Sequence, residues 1–192
     1  MKNHSRAIKI NKYRDGESNS IEDFVAVEEP LEIRIENRSI AIVMRTPGHD
    51  QELTAGFLLS EGAIKNSKEI FEISECINQS KDDKEIGNYV DVILTDNYNF
   101  NFENLTRHVF TSSSCGVCGK ATLESVMTEF EKIKKTTKIN PEKILKLPEK
   151  LLFAQETFKK TGGLHASALF DENGEIVIIR EDVGRHNALD KV

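Results

Sequence analysis

Short apolar runs that alternate with charged residues limit this chain to a β-rich fold with few helices. Leu31, Ile33 and Ile35 are separated by charged side chains, the period of two that marks a half-buried strand. Ile40–Met44 is nearly all apolar and predicts a more central strand, joined to the first by a tight turn at Asn37-Arg38. Further strands are predicted near Glu69–Ile77, over Tyr89–Thr95, at His108–Thr111, over Leu164–Phe170 and at the β-branched run Ile176–Ile179. Residues 1–20 are polar and predict a frayed end or at most an edge strand, and Ile21–Val27 opens a strand that Glu29-Pro30 breaks.

Helical periodicity is confined to four places. Asp50 is placed to cap a helix over Gln51–Ser60, in which Leu53, Phe57 and Leu58 share a face, and Gly62 follows where a left-handed residue ends a helix. Leu123, Val126, Met127 and Phe130 fall at i, i+3, i+4 and i+7. Asn140-Pro141 starts a third helix, with Asn as cap and Pro in the first position. Pro148 restarts it, Leu151, Leu152, Gln155 and Phe158 share its face, and Gly162-Gly163 stops it. Asn187–Val192 reads as the opening turn of a fourth. The pattern predicts an α+β or α/β protein whose N-terminal part is β-rich with one main helix.

At 192 residues the chain holds one large domain or two small ones. A net charge of −6 excludes general affinity for nucleic acid, so any anionic ligand must meet a local basic pocket. No apolar run approaches the roughly 18–20 residues that span a bilayer, and Met1–Gly16 lacks the apolar core of a signal peptide, so no membrane association and a cytoplasmic location are expected. Three cysteines exclude a disulfide scaffold, and in a reducing compartment a Cys-x-x-Cys pair serves redox exchange, metal binding or catalysis.

That pair lies in Ser112–Lys120, read Ser-Ser-Ser-Cys-Gly-Val-Cys-Gly-Lys. Gly116 and Gly119 keep bulk away from Cys115 and Cys118. The stretch reads as a loop running into a helix N-terminus, where unpaired N–H groups favour a thiolate. Redox exchange, zinc binding and sulfur relay are all compatible with it. A structural zinc site needs four ligands, whereas Cys76 stands apart on a strand, and the order of elements is not that of a thioredoxin. Sulfur relay then makes Cys115 the carrier and Cys118 the helper or resolving thiol.

Three other stretches carry candidate anion-binding groups. Gly162 and Gly163 bring backbone N–H groups where a phosphate could approach, with His165 close by. Arg180, Arg185 and His186 follow directly on a buried strand, where α/β sites form, with Glu181 and Asp182 to hold them. Arg45 and His49 end another strand in the same way, across Pro47-Gly48. His165-Ala166-Ser167 is similar to the His-x-Glu of zinc nucleobase deaminases, but serine replaces the acid–base glutamate and the thiol pair lies upstream, the reverse order.

Taken together these stretches resemble the formate dehydrogenase accessory sulfurtransferases of the FdhD type. The resemblance rests on Glu29-Pro30-Leu31, Arg45–Asp50 running into Leu53–Leu58 and Glu61-Gly62, Ser114–Gly119, Thr161–Ala166 and Arg180–Lys191, spread over residues 29–192. It implies a sulfurtransferase that accepts sulfane sulfur from a cysteine desulfurase as a persulfide on Cys115, with Cys118 in relay. The sulfur is delivered to the molybdenum of the bis-(molybdopterin guanine dinucleotide) cofactor, a bound substrate, for the formate dehydrogenase apo-enzyme. It further implies a homodimer and no tightly bound metal. The implied fold is two-part, residues 1–107 and 108–192, the second similar to cytidine deaminases and truncated at its C-terminal end. The implied cofactor-binding residues are Arg45, His49, Gly162, Gly163, His165, Arg180, Arg185 and His186. Two alternatives stand beside this: a chaperone that escorts the cofactor without moving sulfur, and a zinc-binding deaminase-like module using Cys115, Cys118 and His165.

Overall fold

A computed structural model describes residues 4–77, 88–95 and 138–192. The chain opens with β1 (Ser5–Arg14) and β2 (Glu17–Ala26), an antiparallel hairpin. Its two-residue turn, Asp15-Gly16, has φ of 53° and 89°, the left-handed pair that suits the twist of two strands. The polar N-terminus is thus a full pair of strands rather than a frayed end, and Asp15-Gly16 was the signal for it. Polarity misled because most positions of the hairpin are exposed and none is buried, so there is no fully buried face to impose a hydrophobic period.

β3 (Glu29–Ile35) and β4 (Arg38–Arg45) form the expected hairpin. The turn residues are Glu36 and Asn37, both at positive φ, one position earlier than the sequence suggests. β5 (Ile70–Ile77) and β6 (Asn88–Leu94) complete a four-stranded sheet in the order β4-β3-β6-β5. β3 and β6 run parallel and the other pairs antiparallel. The order corrects one expectation. The apolar run Ile40–Met44 lies on an edge strand, with Ile42 and Met44 exposed, while the alternating β3 is internal. A run without polar breaks does not distinguish two-sided burial from an apolar outer face.

α1 (Asp50–Ser60) covers one face of this sheet. Leu53 and Leu58 join Leu31, Ile33, Ile35, Val90 and Val92 in a core from which water is excluded. Each such side chain contributes about 1.5–3 kcal/mol by leaving water. Gly62 ends the segment at φ 74°.

The third described segment begins with α2 (Pro141–Ala154). Asn140 accepts the Glu142 N–H at 2.9 Å, the expected cap. Pro148 does not restart the helix but lies inside it; the break comes at Gln155, where ψ of 91° separates α2 from α3 (Glu156–Thr161). The Glu181 carboxylate accepts the Thr157 and Phe158 N–H groups at 2.9 and 2.7 Å, satisfying the first turn of α3 from a neighbouring strand. β7 (His165–Phe170) and β8 (Ile176–Asp182) form an antiparallel pair. Asp171 Oδ1 receives the Asn173 and Glu175 N–H groups in the turn between them. α4 (Arg185–Asp190) follows.

α4 packs across α1 at a point where only glycine fits. A Cβ on Gly56 would lie 2.6 Å from the Asp190 carbonyl carbon and 2.7 Å from its Cα. Ser60 Oγ donates to Asp190 Oδ1 at 2.7 Å beside this contact. The described parts are therefore joined directly, α1 from the first sheet and α4 from beyond β8.

Candidate functional site

The ends of β4 and β8 meet, and Asp182 is the group that joins them. It is fully buried. Oδ2 receives the Thr46 N–H at 3.0 Å and the Lys191 ammonium at 2.6 Å. Oδ1 receives the Gly184 N–H at 2.8 Å and the Asn187 side-chain amide at 3.0 Å. The same amide reaches the Met44 carbonyl, the Val183 N–H donates to Thr46 Oγ1, and Lys191 donates to the Thr46 carbonyl at 2.8 Å. Four of these bonds cross from residues 44–46 to the β8–α4 segment, and the other three brace Asp182 within that segment. A carboxylate that accepts this many donors meets its desolvation cost where one or two would not. Gly184 leaves room for the Asn187 amide: a Cβ there would lie 2.8 Å from Nδ2 and make the amide shift on Asp182.

Arg45 belongs to the same framework. It is 1% exposed. Nε and Nη2 donate to the two Asp50 oxygens at 2.9 and 3.1 Å, and Nη1 reaches Glu29 at 3.4 Å. Such a bidentate pair turns the guanidinium toward Asp50 and Glu29 and away from solvent among the described residues. It also explains why Asp50 is not the helix cap. Its carboxylate is committed to Arg45, and His49 holds the cap position in a left-handed conformation, φ 56° and ψ 38°, without a side-chain cap bond. Asp182 and Glu181 likewise do not hold the neighbouring arginines: the first joins the two loops and the second caps α3.

What this framework leaves at its surface is a set of basic and imidazole groups. His49 is half-exposed, with Nδ1 3.2 Å from Glu52 Oε1. Arg180 Nη2 lies 3.5 Å from the same carboxylate and Nη1 donates to the Ile179 carbonyl. Its Nε is buried with no hydrogen-bond partner among the described residues. Burial alone would raise the Glu52 carboxyl; its own N–H, His49 and Arg180 outweigh that and hold it below the ordinary value. His4, at the base of β1, lies against Gly48, where an added Cβ would come 3.1 Å from its Nε2. Burial, then the nearby Lys191 and His49, lower its pKa. Burial also lowers that of Lys191, outweighing the attraction of Asp182. Arg185 and His186 open α4 and are exposed.

The glycine pair is arranged differently from the phosphate cradle the sequence suggests. Gly162 caps α3 at φ 67° and its N–H donates to the Phe158 carbonyl at 2.7 Å, while the Gly163 N–H turns to Thr161 Oγ1 at 3.3 Å. Both N–H groups are already engaged. His165 is exposed and stands opposite Asp182 in the β7–β8 register, which places it at the junction. His49 and Arg180 are thus brought together on Glu52, Arg45 lies beneath them on Asp50, His165 is placed by its pairing with Asp182, and Gly162 and Gly163 end α3. Cys115 and Cys118, with the strand expected at His108–Thr111, the helix face Leu123–Phe130 and the boundary at residue 107, lie outside the described residues. Sequence reasoning missed His4, Glu52 and Gly56, and it missed Thr46, Asn187 and Lys191 as one network. The charged pattern from Arg180 onward was visible, but which charges face inward depends on a contact between segments about 140 residues apart.

This combination, a small mixed sheet with one covering helix interlocked with a β-hairpin through a buried aspartate, defines an α+β protein built around two facing loop motifs. The chain belongs to the FdhD/NarQ family, whose model matches residues 26–192. It is 46% identical over 187 residues to the sulfur carrier protein FdhD of Streptomyces avermitilis, covering 96% of this chain and 66% of that one. To its counterpart in Sulfolobus acidocaldarius it is also 46% identical over 187 residues, covering 97% and 67%. The fold matches the crystal structure of a proposed formate dehydrogenase accessory protein from Desulfotalea psychrophila, with a TM-score of 0.68 at 23% identity, over 98% of this chain and 65% of that one. The chain spans about two-thirds of the length of these relatives.

Proposed function

We propose that this protein carries sulfur as a persulfide on Cys115 and hands it to the molybdenum of a bis-(molybdopterin guanine dinucleotide) cofactor, its substrate. A cysteine desulfurase is the donor and a formate dehydrogenase the destination. The observation that supports the reading is the Asp182 interlock, which joins the β4–α1 turn that carries His49 to the β8–α4 segment that carries Arg180, Arg185 and His186. The substrate's several phosphates call for such a cationic surface in an otherwise acidic chain. Family membership and the names of the relatives support the sulfur-carrying part.

The chemistry balances with the two thiols and one external dithiol per turnover. The Cys115 thiolate attacks the terminal sulfur of the donor persulfide, the donor S–S bond breaks, and the donor leaves as a thiolate. Attack of the Cys118 thiolate on the Cys115 sulfur of the new persulfide forms a Cys115–Cys118 disulfide and releases hydrosulfide to the metal. An external dithiol then returns the pair to its reduced form, supplying two electrons. Arg45, buried against Asp50, serves as framework; His49, Arg180, Arg185 and His186 are the groups that would meet the phosphates.

The test is intact-mass spectrometry after incubation with a cysteine desulfurase and cysteine. One added sulfur is expected on the protein, absent in Cys115→Ala and retained in Cys118→Ala. No added sulfur, or sulfur unchanged in Cys115→Ala, overturns the reading. If Cys115→Ser still matures a formate dehydrogenase, the chain escorts the cofactor without moving sulfur.

A further inference from the structure

The carboxylates of the junction are not held equally. Asp50 gives its two oxygens to Arg45 at 2.9 and 3.1 Å, Asp182 takes the Lys191 ammonium at 2.6 Å, and Glu181 takes two N–H groups of α3. Glu52 differs from all three. A single oxygen, Oε1, lies 3.2 Å from His49 Nδ1 and 3.5 Å from Arg180 Nη2. Charge-assisted bonds at full strength run at about 2.7–2.9 Å, so both of these are loose.

The two basic groups are fixed where the carboxylate is not. Arg180 Nη1 donates to the Ile179 carbonyl at 2.9 Å, its Nε is buried, and its side chain is 19% exposed among the described residues. His49 takes a left-handed backbone conformation at the entry to α1, which limits where its ring can reach. Glu52 stands in the first turn of α1 on a flexible stem, 46% exposed among the described residues. Rotation of that stem withdraws the carboxylate and leaves both basic groups in place. Burial opposes its ionisation, but its own N–H, His49 and Arg180 outweigh that, so the bridging group carries a full negative charge at neutral pH. A carboxylate oxygen shared by a histidine and an arginine stands where a phosphate oxygen meeting the same two groups would stand. If Glu52 stayed, the two anions would share one pair of donors with like charges in contact.

We propose that Glu52 is an internal counter-anion, which holds His49 and Arg180 until the phosphate groups of the substrate displace it and which thereby sets the charge a ligand needs to enter. This rests on the reading that phosphates meet His49 and Arg180. A single carboxylate brings no more than Glu52 already offers, whereas a diphosphate brings more oxygens and more charge and outcompetes it.

The test is isothermal titration calorimetry with the whole chain, guanosine diphosphate as the probe and guanosine as its uncharged control. The proteins are the parent, Glu52→Gln, Arg180→Gln and the double variant. Glutamine keeps the shape of glutamate and removes the charge, and circular dichroism verifies each fold. Glu52→Gln is expected to bind guanosine diphosphate at least about threefold tighter, the size of a half-exposed charge contact. The gain should be absent for guanosine, absent when Arg180→Gln is present, and screened away at about 1 M salt. Unchanged binding in Glu52→Gln overturns the proposal. Weaker binding overturns it too, and makes Glu52 a residue that orients the two donors. An equal gain for guanosine does the same, since such a gain owes nothing to charge. The underlying reading fails separately: guanosine diphosphate binding that is indifferent to Arg180→Gln, or absent from parent and Glu52→Gln alike, places the phosphates elsewhere and removes both.

Discussion

Replacing Gly56 by alanine isolates the contact that joins α1 to α4. The new Cβ would stand 2.6 Å from the Asp190 carbonyl carbon and closer still to its oxygen. Both are backbone atoms, so no rotamer change relieves the clash and the helices must part by about 1 Å or more to reach ordinary contact. Overpacking of this kind costs about 1–3 kcal/mol. The same movement stretches the Ser60–Asp190 hydrogen bond of 2.7 Å beyond a useful length, at about 1 kcal/mol. Against this, alanine is the better helix former by about 0.8–1.0 kcal/mol. The balance is a loss of about 1–3 kcal/mol, or roughly 2–4 °C in Tm for each kcal/mol at this chain length. Thermal and urea unfolding followed by circular dichroism measure it, with Ser60→Ala as the control that removes the hydrogen bond alone. A Gly56→Ala protein as stable as the parent would show that the helices are not packed as described, and with that the close approach of the two parts would fall.

Asp182→Asn keeps the shape but makes one oxygen a donor facing the Lys191 ammonium and the Thr46 N–H; a loss of about 3–5 kcal/mol, in the range for breaking a buried pair, is expected in urea unfolding. Asp190 has its pKa raised, first by burial, with Ser60 opposing. The folded state therefore holds this proton more tightly than the unfolded state, so its contribution is full below the ordinary aspartate range and is lost as pH rises through the folded pKa. Asp190→Asn should accordingly flatten the decline of stability above pH 4 in a pH series of Tm, and a series parallel to the parent's would refute the assignment. Gly16, at φ 89° with open space around it, should lose about 1 kcal/mol on substitution by valine through backbone strain alone, read as a lower urea midpoint with an unchanged slope.

How much of this was legible in the sequence follows from how local each cause is. The β3–β4 hairpin, α1 with its Gly62 stop, and the β7–β8 hairpin depend on periodicity and turn residues within a few positions. Pro148 misled because proline is strongly disfavoured inside helices, yet α2 runs through it from Pro141 to Ala154. Asp50 misled for another reason. As a cap its carboxylate would accept a backbone N–H; instead a buried guanidinium five residues earlier takes both oxygens, and a charge-assisted pair outcompetes a single neutral bond.

The same competition changes what the Arg45–Asp50 and Arg180–Lys191 stretches mean. Charged residues clustered after a strand invite a reading in which each one meets the ligand. Here the most buried of them, Arg45, Asp50, Asp182 and Lys191, are spent on one another and on backbone groups, and only a minority face outward. A buried network of this kind adds little net stability over an apolar core, but its geometry is directional. It specifies one relative placement of the two loops where an apolar contact would tolerate several. Rigid placement is what a phosphate-binding surface needs if its cations are to be arranged before the ligand arrives. The two roles separate in experiment. If the proposed substrate is right, loss of the exposed Arg185 should weaken binding of a guanosine nucleotide, used as a probe for that substrate's nucleotide end, and leave Tm within about 1 °C, since exposed substitutions move stability by no more than about 0.5 kcal/mol. Loss of Arg45 should lower both together. An Arg45→Lys protein that keeps its Tm and loses nucleotide binding would return Arg45 to the ligand and refute the division.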